Sequence, residues 1–168
     1  RMSNYRVAKI HFIKNLKIID SLSGNKKEKI NILINLSNCS NADGDYDEAI
    51  EYLNQSVTLE KEIYGNNNKK SIISYGNIAL NYNAKGEYDK AIEYQNKSLE
   101  LCKVLLDPAH SFFGTIYHNL GIYYNDNNEI ESAFSNYTKA LIVYEKVYDY
   151  NHPLIGVAKN PLGEYYEK

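Results

Sequence analysis

The chain has 168 residues, 43% hydrophobic and 24% charged, enough to bury one large shared core. A net charge of −2 and a pI of about 6.1 leave no basic stripe of the kind that neutralises phosphates, so nucleic acid is not an expected partner. No apolar run reaches the roughly 18 residues of a membrane span, and the first residues do not read as a secretory signal, so no membrane insertion and a cytoplasmic location are expected.

Residues 4–24 read as a lone helix. Ala8 and Gly24 are spaced like Ala49 and Gly65, with Phe12 in the place of Leu53 and Leu22 in that of Ile63. The segment is therefore expected to be the second helix of a preceding unit. Residues 26–65 form a helical pair. The first helix carries the large–small pair Leu36-Ser37, and the phrase Gly44-Asp45-Tyr46-Asp47-Glu48-Ala49-Ile50-Glu51-Tyr52 opens the second.

Residues 68–107 repeat this pair 42 residues on, with Ile78-Ala79 and then Gly86-Glu87-Tyr88-Asp89-Lys90-Ala91-Ile92-Glu93-Tyr94. Residues 110–149 do so again, with Leu120-Gly121 followed by a weaker copy, Asn128, Ile130 and Ala133. Residues 152–168 carry Leu162-Gly163 and read as the first helix of a fourth unit. Tyr82, Tyr124 and Tyr166 each stand three residues after the small partner.

The small residue matters because the second helix of each unit crosses there, and a bulky side chain would hold the two apart. Ala49, Ala91 and Ala133 are the matching contact points on that second helix. Further along it, Leu59/Ile63, Leu101/Leu105 and Val143/Val147 are i, i+4 apolar pairs on one stripe. Gly44 and Gly86 supply the positive φ needed past a helix C-terminus, and Asn128 is the next most tolerant residue for that slot.

These residues resemble the tetratricopeptide repeat family, whose pattern is aromatic-x2-Leu-Gly-x2-Tyr and then Ala-x3-aromatic. The third unit matches with Tyr117, Leu120, Gly121, Tyr124, Ala133 and Tyr137. The second matches with Tyr75, Ile78, Ala79, Tyr82 and Ala91 but has Gln95 in place of the last aromatic, and the first is looser, with Ser37 and Ser40. The 42-residue period resembles the long-helix variant found in kinesin light chains and related scaffolds. His110 and His152 fit the Gly-x-x-His-Pro helix start of that variant in part. The resemblance implies an all-α fold: a right-handed superhelical array (α-solenoid) of about eight antiparallel helices. An excised piece of a longer array is expected, with a half unit at each end.

In such an array the concave wall is lined mainly by the first helix of each pair. The residue before each large–small pair faces that wall, and it is Asn35, Asn77 and Asn119 in three successive units. In the family, asparagine at this position clamps the main chain of an extended peptide. An amide suits that task because it offers both a donor and an acceptor. Six residues later Asn41, Asn83 and Asn125 form a second aligned set, and Asn38 and His118 are further groove candidates.

Shallow pockets near Tyr75, Leu80, His118 and Ile122 are expected to give specificity. At the fourth unit Pro161 takes the asparagine position inside a helix, which should kink or shorten that helix or end the ladder. The neutral wall does not resemble the Lys- and Arg-lined grooves with which family members hold acidic chaperone tails.

No nucleophile–base pair, phosphate-cradling glycine loop or metal-ligand spacing is present, so no enzyme activity, cofactor or metal is expected. Glu48, Glu51 and Glu93 read as a solvated face near helix N-termini, and Cys39 and Cys102 as reduced, packed thiols. The reading is a scaffold that binds a protein or peptide partner in its concave groove. The alternative is an architectural or oligomerisation module, self-associating through open repeat ends, or a substrate-recruiting part of a larger multidomain protein.

Overall fold

The computed structural model describes residues 2–21 and 25–166, with side chains for 5–21 and 25–163. Leu22 and Gly24, and the side chain of Tyr166, lie outside the described residues. Eight helices follow one another: α1 (Met2–Ser21), α2 (Lys26–Ala42), α3 (Tyr46–Tyr64), α4 (Lys69–Ala84), α5 (Tyr88–Leu105), α6 (Phe112–Asp126), α7 (Ile130–Val147) and α8 (Pro153–Tyr166). There is no strand among the described residues. Each helix packs chiefly on its chain neighbours, the arrangement of a solenoid.

Local chemistry sets the helix ends. Asn25, Asp45 and Asn68 cap α2, α3 and α4 by accepting from the backbone N–H groups of Lys27, Glu48 and Ser71. His110 and His152 act in the same way, their Nδ1 atoms accepting from the N–H groups of Phe112 and Leu154 at 3.2 and 3.3 Å. The turns between α2 and α3 and between α4 and α5 use Gly44 and Gly86 at φ 81° and 80°, and the next uses Asn128 at 61°.

Ala49, Ala91 and Ala133 are fully buried, as are Leu36 and Ile78, while Leu120 is nearly so. The approach at Gly121 is so close that an added Cβ would stand 2.5 Å from the Tyr137 ring. Pro161 does not shorten α8, which continues to Tyr166.

The 42-residue register also sets the joints between successive pairs. Glu60, Cys102 and Tyr144 are equivalent and all buried. Cys102 meets Phe113 and Ile116, and Tyr144 meets Ile155 and Ala158, in apolar clusters. At the α3–α4 joint the same slot is polar. The Glu60 carboxylate, 0% exposed, accepts from Ser56, Ser71 and Ser74 at 3.2, 2.9 and 2.8 Å. Sequence reasoning missed this cluster, although Ser71 and Ser74 stand where the next unit has Phe113 and Ile116.

Glu48 also departs from the solvated-face expectation, which Glu51 and Glu93 meet. Its carboxylate joins Lys9 of α1 to Ser40 of α2. Burial alone would raise that carboxyl, but the hydrogen bonds from Lys9 and Ser40 hold it below the usual range.

Candidate functional site

One face of α4 and one face of α6 line a cleft of about 430 Å³ whose floor comes from α5. Helical spacing brings Ile73, Asn77 and Leu80 of α4 to one side and Phe112, Ile116 and Asn119 of α6 to the other. Ile73 and Leu80 are large apolar side chains more than half exposed, at 54% and 52%. Gln95 and Ser98 form the floor. Ser98 is satisfied, its hydroxyl donating to the Ile72 carbonyl at 2.7 Å. Gln95 is 1% exposed, and its Oε1 accepts no hydrogen bond among the described residues. No ionisable side chain lines the cleft.

The next cleft along the wall, about 340 Å³, lies between α6 and α8 over α7. His118, Ile122 and Asn125 face Val157 and Pro161 there, and Tyr137 forms the floor. The His118 ring lies 5.5 Å from the Tyr137 ring, and its buried Nδ1 has no partner among the described residues. Burial holds the His118 imidazole below its ordinary value, favouring the neutral form.

The two aligned asparagine sets differ in surroundings. Asn77 and Asn119 share one cleft, and no side-chain hydrogen bond engages their amides among the described residues. Asn35 and Asn38 are exposed on α2, one pair away. In the second set, Asn41 donates to Asn81 Oδ1 at 2.8 Å, joining α2 to α4. Asn83 donates to Asp126 at 3.1 Å, joining α4 to α6. Those two amides tie successive pairs together, while Asn125 borders the second cleft.

Tyr75 is the residue that sequence reasoning misplaced. It lines a different recess, with Lys61, Glu93 and Leu101, and packs on Tyr94 with ring centroids 6.1 Å apart. Gln95 was visible only as a departure from the aromatic pattern, and Phe112 and Ile116 were not anticipated as cleft residues.

Neither cysteine offers chemistry: both are buried, and burial raises the Cys39 thiol and lifts that of Cys102 to about 11. Among the described residues no cluster of ligating side chains could hold a metal, and no helix is long and apolar enough to cross a membrane.

The stacked helix pairs and their 42-residue register define a helical-repeat scaffold. The chain belongs to the tetratricopeptide repeat family, whose model matches residues 28–103 and 70–134, together more than half of its length. Its solenoid is of the kinesin-light-chain-like kind. It is similar to a putative kinesin light chain of nearly identical TPR-like repeats from Podosopora anserina, at 18% identity and a TM-score of 0.81. That match covers 99% of this chain and 80% of that one.

BtubC (BKLC) from P. vanneervenii is similar at 17% identity and a TM-score of 0.79, over 97% of this chain and 68% of that one. The N-terminal domain of stress-induced protein-1 (STI-1) from C. elegans is more distant, at 14% identity and a TM-score of 0.60, over 81% of this chain and 96% of that one. At these identities the likeness is one of fold. No curated protein matches the chain. The family's repeats are typically non-enzymatic, and they make this chain a protein–protein interaction scaffold.

Proposed function

We propose that the scaffold binds an extended segment of a partner protein along its concave wall, with Asn77 and Asn119 holding the segment's main chain. The observation that carries this is the pair of amides at equivalent positions on α4 and α6, facing one neutral cleft with no internal hydrogen bond to give up. Each amide can donate to a peptide carbonyl and accept from a peptide N–H without demanding a particular side chain.

Asn35 continues the line toward α2, and Asn38, Asn125 and His118 border it. Asn41 and Asn83 are left out as peptide contacts, because breaking their inter-helix bonds would offset what a ligand returned. The uncharged wall disfavours an acidic tail, whose carboxylates would lose water and gain no cation. An affinity on the order of micromolar suits a short linear ligand.

Peptides selected from a random library on the immobilised chain, then titrated into ¹⁵N-labelled protein, test the reading. Shifts concentrated on α4 and α6 support it. Shifts confined to the outer faces of α5 and α7 contradict it.

Self-association is a second reading, favoured by one observation. Val7, Ile10 and Ile18 of α1 share a helical face and are each more than half exposed. Sedimentation of the chain and of a Val7→Lys/Ile10→Lys variant tests it. A dimer that the variant loses supports it, and a wild-type monomer at all concentrations sinks it.

A further inference from the structure

We infer that the cleft between α4 and α6 is a specificity pocket for a glutamine side chain of the bound segment, read by the carboxamide of Gln95. This rests on the concave wall being the peptide site and adds which residue enters it.

The pocket has a carboxamide on its floor because the second unit departs from the repeat's aromatic pattern. In the third unit the floor position is Tyr137, whose ring covers Gly121 and borders the neighbouring cleft. In the second unit the equivalent pair is Gln95 and Ala79. The smaller side chain leaves room for the alanine methyl below and an open, polar-floored cleft above.

Burying a glutamine there without a partner for its oxygen carries an uncompensated desolvation cost. The Gln95 Oε1 is buried and accepts nothing, although the side chain lines the cavity. Because the last torsion of a glutamine turns freely, a ligand group at the floor that brings a hydrogen-bond donor can draw that oxygen round and give it a partner.

The lining narrows what can bring it. An ammonium or guanidinium would be desolvated with no carboxylate nearby, and a carboxylate has no donor to bring. A carboxamide is neutral and presents an N–H and a C=O in one plane, the complement of another carboxamide. The partner's C=O can then accept from Gln95 Nε2 while its N–H reaches Oε1. The two methylenes of a glutamine would pass between Ile73, Leu80 and Ile116, apolar walls that suit an aliphatic stem. A phenol can donate to the same oxygen but lacks the matched pair, so tyrosine is the competing occupant.

The test uses the whole ¹⁵N-labelled chain and host peptides acetyl-Gly-Ser-Gly-Xaa-Gly-Ser-Gly-amide with Xaa as Gln, Met, Glu, Tyr or Ala. Glutamine is expected to bind about tenfold tighter than its isosteres methionine and glutamate, and to shift the side-chain NH₂ signal of Gln95. In Gln95→Leu the glutamine–methionine difference should vanish. Should that variant not fold, the wild-type ranking decides alone.

Methionine, glutamate or tyrosine binding as tightly as glutamine overturns the inference, and so does an unmoved Gln95 signal on saturation. If all five peptides bind α4 and α6 equally, the pocket fails and the groove reading stands. If none shifts α4 and α6, both fail.

Discussion

Tyr137 packs so closely on Gly121 that a Cβ on the glycine would stand 2.5 Å from the ring's Cδ1. The contact joins α6 to α7, and the ring must shift before a methyl group fits there. Gly121→Ala should therefore destabilise the chain by about 1–3 kcal/mol in urea unfolding. Gly76→Ala, with nothing within 4 Å of the added methyl, should stabilise it by about 0.5–1 kcal/mol through helix propensity. Combining Gly121→Ala with Tyr137→Gln recreates the Ala79–Gln95 pair of the previous unit. The double variant should lose less than the sum of the two single changes, and strict additivity would contradict the coupling.

The polar joint at Glu60 has a separate consequence. Glu60→Ala removes an acceptor that three buried serines share, and about 3 kcal/mol should be lost. Glu60→Gln should cost clearly less, because serine hydroxyls can turn to donate or accept. Replacing Glu60, Ser71 and Ser74 together by Cys, Phe and Ile, the residues of the next joint, should give a chain at least as stable as wild type. Thermal unfolding of the four proteins checks the order.

His118 gives the second cleft a dependence on pH. Burial lowers its folded pKa below the ordinary 6.5, so the unfolded chain takes up the proton first as acid is added. Its contribution to stability is whole above pH 6.5, falls as pH drops from there to the folded pKa, and then levels off. His118→Gln should remove that part of the acid sensitivity. An NMR titration giving a folded midpoint at or above 6.5 would contradict the burial argument.

Much of this fold was legible because its period is written in side-chain volume: Leu36-Ser37, Ile78-Ala79 and Leu120-Gly121 recur where helices must cross. The turn residues were equally plain, since Gly44, Gly86 and Asn128 supply a backbone conformation that few residues tolerate. The polar interior was harder to see. Ser71 and Ser74 look like surface residues until Glu60 is placed against them, and that contact spans two units. The asparagines posed the same difficulty, because spacing shows that Asn77 and Asn41 each recur but not which is engaged. The cleft at Gln95 depends on what an absent ring leaves behind.

The central claim is that the unengaged amides of the first set, and not the bonded amides of the second, hold a partner's main chain. The most direct measurement compares the affinity of library-selected peptides for wild type, for Asn77→Ala/Asn119→Ala and for Asn41→Ala/Asn83→Ala, with the fold of each checked by circular dichroism. The account predicts at least a tenfold loss in the first double variant. In the second it predicts near-wild-type affinity with stability lowered by about 1–2 kcal/mol. Unchanged binding in the first, or an equal loss in both, would contradict it.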